Sequence, residues 1–396
     1  MIMVKSENKK ALSIGLICVS TYLVNYYLRN LLGVMTPTLT EIGFFTNEFA
    51  GLLSSVYMLF YAGGQLINGI LGDRLSPKRM VFIGIAAASL ATIAFPFVGN
   101  SFVHMIFFAL LGFGLSMVHG PLMKIISENT TPNKARTICV FFSFASFAGP
   151  LVASLFAMIS NWIWTYLVAG IFALTIAVLS YVFLTIMERR TTISYRSTKG
   201  EGIRSITSMF KIEKFGFFMI IACLVEIAGA SISFWIPTYL VDVLHFEKAT
   251  ANLIYTGISI CRAFMPFLAL TIFRLLKERD ILMMRFTLSI AGILFLAMML
   301  TDNPYLSIGL LLLALMAMSC TSSLLWSIYI PGLGKTGKVS SVNGILDCTG
   351  YIAAAIANVL FAAATTHLGW NAVFALWASI GAIGLIATFF VKTKNA

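Results

Sequence analysis

The sequence predicts an all-α membrane protein of twelve transmembrane helices in two pseudo-symmetric six-helix bundles. Three observations predict it: 59% of the 396 residues are hydrophobic and only 11% charged, the apolar residues fall in long unbroken runs, and one polar stretch divides those runs six and six. A soluble chain is nearer half apolar and a quarter charged, so one aqueous-facing core could not hide this excess. In lipid every backbone N–H and C=O must be paired within the protein, which leaves helices or a closed barrel. A barrel needs segments of alternating polarity. Runs such as Met80 to Val98 and Trp162 to Met187 are instead continuous. At about 1.5 Å per residue each is long enough to cross a hydrocarbon core of about 30 Å.

The predicted spans are 11–36, 49–71, 80–98, 102–126, 137–159, 162–187, 215–240, 250–274, 282–300, 305–330, 339–362 and 370–391. Residues 1–187 form the first predicted bundle, 188–214 a cytoplasmic linker and 215–396 the second bundle. The basic N-terminus MIMVKSENKK precedes an apolar run with no small-residue cleavage pattern, which reads as a retained first span. The segments Lys5–Lys10, Arg74–Arg79, Lys134–Arg136, Arg189–Lys214, Arg274–Arg279, Lys335–Lys338 and Lys392–Lys394 carry most of the 27 Lys and Arg. They all fall on one side of the twelve-span arrangement. The opposite loops hold Lys248 with Glu41, Glu48, Asp242, Glu247 and Asp302. This asymmetry predicts cytoplasmic termini and linker, in a cell (plasma or inner) membrane. It also accounts for the +12 net charge without nucleic acid, since the cations are dispersed over seven loops rather than gathered in one patch. The linker is either a solvated connector or a surface for anionic headgroups.

The halves echo each other. Met35-Thr36-Pro37-Thr38 closes the first span and Trp235-Ile236-Pro237-Thr238 the seventh; Gly149-Pro150 and Gly350-Tyr351 recur at nearly the same offset. Duplicated halves of this kind place a solute site near the midplane.

The loop after the second span carries Gly69, Gly72, Asp73, Arg74, Lys78 and Arg79 in the order Gly-Ile-Leu-Gly-Asp-Arg-Leu-Ser-Pro-Lys-Arg. Asp and several Arg/Lys in a short turn can make charged hydrogen bonds that differ between two states of the halves. This stretch resembles the signature loop of the major facilitator superfamily; its counterpart, Arg274 to Arg279, is degenerate. Tyr26-Tyr27-Leu28-Arg29 with Pro37, and Trp235-Ile236-Pro237-Thr238-Tyr239-Leu240, further resemble the organophosphate:phosphate antiporter branch. That resemblance implies rocking of two halves around the solute, with Arg29 binding phosphate beside three helpers. In this chain the helper positions hold Gly229, Gln65 and Ser146. The retention of Arg29 alone points toward the anion:cation symporter branch and carboxylated solutes.

Ionisable residues at membrane depth are functional candidates by default. Arg29 lies eight residues, about 12 Å, from the outer end of its span and offers a planar fork for a carboxylate or phosphate. Glu226, about 16 Å into the seventh span, shares a face with Gly229. It is a candidate for proton coupling, for pairing with Arg29 in the empty state, or for a substrate amine. Asp347 is the second candidate proton carrier and the expected ion-pair partner of Arg262 within the second half. Lys124, near the inner end of the fourth span, reads as a snorkelling side chain or as the counterpart of a family Arg. His119 is either titratable or hydrogen-bonded; His104, His245 and His367 are expected on the outer face. Tyr26 and Gln65 head the polar and aromatic residues that could complete a cavity, with Asn25, Asn68, Trp235, Tyr255, Trp326, Tyr329 and Asn343.

The six cysteines sit in apolar runs, and no metal-ligand cluster, P-loop or Gly-x-Ser-x-Gly elbow occurs. The expectation is therefore no enzyme and no cofactor, but a monomeric secondary transporter of a small organic anion driven by proton symport. Organophosphate/phosphate exchange, a transporter-like membrane sensor and drug export are the alternatives.

Overall fold

A computed structural model describes residues 2–159, 161–196 and 209–391. Parts of the linker (197–208) and the Lys392–Lys394 segment lie outside the described residues. Among the described residues thirteen long helices dominate: α1 Ile2–Glu41, α2 Asn47–Arg74, α3 Pro77–Ala94, α4 Ser101–Ser116, α5 His119–Asn129, α6 Pro132–Ile159, α7 Trp162–Arg189, α8 Phe215–Asp242, α9 Lys248–Leu275, α10 Asp280–Met298, α11 Pro304–Ser323, α12 Val339–His367 and α13 Trp370–Phe389. Among the described residues every element is helical, and twelve stretches are long and apolar enough to cross a membrane. The fourth span is broken: α4 ends at Ser116, and α5 begins at His119 after the turn Met117–Val118. The tenth continues from α11 into a π-helical segment, Leu324–Tyr329.

The chain forms two compact units. The first comprises Met1–Ile206 with Ile330–Cys348, and the second Thr207–Tyr329 with Thr349–Ala396. The stretch Ile330–Cys348 thus packs with the first unit although it lies in the second half of the sequence. In the first unit α1 packs on α6, α2 on α4 and α3 on α7; in the second, α9 packs on α11 and α10 on α13. The second and fourth spans of each half therefore pair, as do the third and sixth. Close backbone approach sets the α1–α6 contact: a Cβ on Gly149 would lie 2.9 Å from the backbone nitrogen of Tyr27. Only glycine lets α6 reach the turn of α1 that precedes Arg29.

The α4–α5 break has clear polar accounting. The last turns of α4 leave carbonyls without intrahelical partners. Asn25 of α1 donates its amide to the Leu115 carbonyl at 3.0 Å, and Asn68 of α2 donates to Ser116 Oγ at 2.8 Å. At the inner end, the chain leaving α7 docks on α5. The Ser194 amide donates to Asn129 Oδ1 (2.8 Å), the Arg196 amide to Glu128 Oε2 (2.9 Å), and the Arg196 guanidinium to the Lys335 carbonyl.

Candidate functional site

Arg29 sits on α1 in a cage of tyrosines. Its guanidinium carbon is 5.5 Å from the Tyr26 ring centroid, 6.0 Å from Tyr57 and 5.0 Å from Tyr61, the last two on α2. Each such contact stabilises a cation by about 0.5–2 kcal/mol, more when water is excluded. Tyr57 and Tyr61 stack on each other with centroids 5.6 Å apart. One turn further along α2, Gln65 is 1% exposed and its Nε2 has no hydrogen-bond partner among the described residues. A buried donor left unmatched costs about 1–3 kcal/mol, so this amide is poised for an acceptor.

The aromatic series continues inward. Tyr26 meets Tyr22 edge-on at 5.1 Å, and Tyr22 stacks on the His119 imidazole at 5.1 Å and 21°. His119, the first residue of α5, faces Asp347 and Asn343 of α12. His119 Nδ1 is 3.2 Å from Asp347 Oδ2, and Asn343 Nδ2 lies 3.0 Å from both atoms. All three residues are buried. With Nδ1 unprotonated, the Asn343 amide donates one hydrogen to the imidazole and one to the carboxylate. With Nδ1 protonated, the imidazolium donates directly to Asp347, and Asn343 must surrender that bond. One proton at Nδ1 would therefore exchange the Asn343–His119 hydrogen bond for a His119–Asp347 one.

The glycine-aspartate loop is built around the start of α12. A Cβ on Gly69 would lie 2.8 Å from the Gly344 Cα, and one on Gly72 would overlap the Ser340 hydroxyl. That approach brings the Asp73 carboxylate onto the first turn of α12, where the Ser340 and Ser341 amides donate to it at 3.2 and 2.7 Å. Lys124 of α5 completes the cluster, with Nζ 3.3 Å from Asp73 Oδ1 and donating to the Asp73 carbonyl at 3.0 Å. Asp73 is 1% exposed and Lys124 is fully buried. Lys124 thus does not snorkel: a buried carboxylate lies within its reach, which holds the ammonium inside. Lys78 donates to Thr185 at 3.1 Å and pairs with Glu188, so it fastens α3 to α7. Arg74 is half-buried and Arg79 exposed.

In the second unit Glu226 is half-buried on α8 and packs its side chain against Gly350, where a Cβ would lie 2.6 Å from Glu226 Cγ. Arg262 on α9 reaches Ser319 of α11, Nε to Oγ 3.5 Å. The sequence paired Arg262 with Asp347; Asp347 meets His119 and Asn343 within the first unit, and Arg262 meets Ser319 within the second. Tyr329 stacks on Phe218 at 3.7 Å and donates to the Glu213 carbonyl, so it packs α8 rather than lining a cavity. His104 is 2% exposed, bonds the Phe95 carbonyl at 3.2 Å and packs among Phe44, Phe45 and Phe95. The sequence reading missed Tyr22, Tyr57 and Tyr61. Their spacing was the available signal: Tyr22-Tyr26 and Tyr57-Tyr61-Gln65 each recur every four residues, one face of a helix.

Twelve spans, a cation set in aromatic rings at membrane depth and a buried His–Asp–Asn cluster define a polytopic membrane protein with the fold of known solute carriers. The Major Facilitator Superfamily model matches residues 18–352, and the chain belongs to that family. Its fold is that of the E. coli fucose:proton symporter FucP (TM-score 0.76, 13% identity, 97% of this chain and 99% of that one). The human organic anion transporter MFSD10 is similar to it as well (TM-score 0.70, 13% identity, 96% and 99%). Among curated proteins, the zebrafish (Danio rerio) sphingosine-1-phosphate transporter SPNS2 is 24% identical over 216 residues, 52% of this chain and 43% of that protein. The chain spans about half the length of the curated relatives it matches. The relative named there is not an organophosphate:phosphate antiporter.

Proposed function

We propose that this chain is a secondary active transporter that carries a small organic anion together with a proton. The observation that carries the reading is the continuous series Arg29–Tyr26–Tyr22–His119–Asp347, in which a guanidinium is joined through aromatic contacts to an imidazole beside a carboxylate. Arg29 is a permanent charge whose planar fork grips a carboxylate or phosphate. The Gln65 amide supplies a further donor. A proton on His119 Nδ1 makes the contact with Asp347 an ion pair and displaces the Asn343 bond to the imidazole, while Asn343 keeps its bond to Asp347. Because Tyr22 lies against the imidazole and Tyr26 against Arg29, the protonation state is felt at the anion. Glu226 on α8 remains a second proton-coupling candidate. Transport proceeds by alternating access, with both termini and the linker cytoplasmic. The likeness to a proton symporter and to an organic anion transporter supports this reading at the level of fold.

A thermal-shift screen of organic acids and phosphate esters on purified protein selects the probe, and proteoliposomes then measure its uptake. External acidification drives accumulation in the wild type. His119→Gln and Asp347→Asn retain counterflow of the probe but lose acid-driven accumulation. Accumulation that survives both substitutions, and is lost in Glu226→Gln, moves the proton site to α8. Saturable binding with no flux in any condition makes the protein a sensor and sinks the transporter reading.

A further inference from the structure

Three sulfur side chains meet inside the first unit, from residues far apart in the sequence. Cys139 of α6 lies 3.5 Å, Sγ to Sδ, from Met123 of α5. Cys18 of α1 joins them through helix register. A Cβ on Gly15 would lie 3.3 Å from Ile138 Cγ1, and one on Gly149 would meet Tyr26 Cβ. The offset between α1 and α6 is 123 residues in both pairs (15 to 138, 26 to 149), so the two helices run parallel. Cys18 is then level with residue 141, about 3 Å along the axis from Cys139. The two thiols are close enough for the charge of one to act on the other. Cys18 is wholly buried, and Cys139 and Met123 are each 1% exposed. Tyr195, from the chain that docks on α5, is near enough to Cys18 and Glu128 for both to act on its hydroxyl, so the sulfurs lie just inside that dock. Nothing in the sequence marks this cluster, because only the packing of α1, α5 and α6 assembles it.

We infer that Cys18, Cys139 and Met123 form a binding site for a soft monovalent metal ion, Cu(I) by ligand class. Thiolate and thioether sulfurs select Cu(I), whereas carboxylate, carbonyl and water suit the harder divalent ions. A structural zinc site takes four Cys, His or carboxylate ligands, a set these residues do not supply. At metal–sulfur lengths of about 2.3 Å, two sulfurs 3.5 Å apart subtend roughly 100° at a shared ion, close to the tetrahedral angle. Binding forms one metal–thiolate bond in place of an S–H bond, and the displaced proton leaves to water. No oxidation state changes. A single positive charge on the ion and a single thiolate leave the site neutral, as a dry interior requires.

Ag(I) is the probe, since it has the charge and softness of Cu(I) and stays in one oxidation state. The full chain carrying Cys261→Ser, which removes the exposed thiol, is the parent. It is titrated in weak buffer while silver–thiolate ultraviolet absorption, proton release and melting temperature are read together. One equivalent should bind, release about one proton and raise the melting temperature. Cys18→Ser and Cys139→Ser should each weaken binding at least about tenfold, a loss that even outer partners of a metal can cause. Met123→Leu keeps the volume and apolar character of the site, so its melting curve without metal should match the parent. Its Ag(I) affinity should nonetheless fall at least about tenfold. That variant carries the test where a buried serine disturbs the fold. The inference is overturned if no such equivalent binds, or if affinity is unchanged in Met123→Leu, which would leave only a reactive thiol. A melting temperature raised as much by Zn(II) as by Ag(I) overturns it too.

Discussion

Replacing Asp73 by Asn tests the cluster that fixes α2, α5 and the start of α12. The carboxylate accepts the Ser340 and Ser341 amides and an ammonium at 3.3 Å while almost wholly buried. An Asn amide offers one acceptor oxygen, turns its NH2 toward a backbone N–H, and leaves the Lys124 charge alone in the interior. A hydrogen bond to a charged group contributes about 1.5–3 kcal/mol, and removing one member of a buried pair costs about 3–5 kcal/mol. A loss of about 3 kcal/mol raises the opening equilibrium constant roughly a hundredfold or more. Amide hydrogen exchange read on the 339–345 peptide reports it directly, since the Ser340 and Ser341 amides exchange when this contact opens. Asp73→Asn should speed that exchange roughly a hundredfold. Asp73→Asn with Lys124→Met removes the stranded cation too, so the double variant should lose less than the two single losses combined. Protection unchanged to within about threefold in Asp73→Asn would refute the reasoning, because a buried carboxylate bearing these partners could not be neutralised so cheaply.

Other expectations follow from the same contacts. Arg29→Lys keeps the charge but loses the flat face that lies over three tyrosines; anion affinity measured by calorimetry should fall at least about tenfold, and an unchanged value would remove Arg29 from the site. Gly149→Val drives a side chain into the Tyr26–Tyr27 backbone and should cost about 1–3 kcal/mol, seen as a lower apparent melting temperature together with weaker binding. A melting curve identical to wild type would show that α1 and α6 are not in contact there. Arg285→Met removes two hydrogen bonds to Thr388, at 3.1 and 3.2 Å, and a stacking contact with Phe389; it should lower the melting temperature of the second unit while leaving anion affinity untouched.

The spans were legible in the sequence because hydropathy records what each residue's solvent is, and lipid leaves a long, unambiguous trace. The glycine-aspartate loop was legible for a related reason: two glycines three apart followed by Asp mark a close approach and a charge to place there. Partners across the fold were not. His119 and Asp347 are 228 residues apart, and nothing local in either segment names the other. Arg262 was given Asp347 because both are charged and near mid-depth, yet depth says nothing about which helix face points where. Lys124 was read either as snorkelling from its place near a span end or as the counterpart of a family Arg, and the former holds only when no acid waits inside. The tyrosine cage was visible as a four-residue spacing on α1 and α2, but aromatic residues abound in this chain and the spacing acquires meaning only once Arg29 is seen beside them.

The interrupted fourth span divides a lever into two pieces. The outer piece is bolted through its last carbonyls and Ser116 to Asn25 and Asn68, whereas His119, Lys124 and Glu128 all ride on the inner piece. His119 therefore sits on the same short rod that carries the Lys124 ammonium and the dock for Arg196, and the joint at Met117–Val118 separates that rod from the outer anchor.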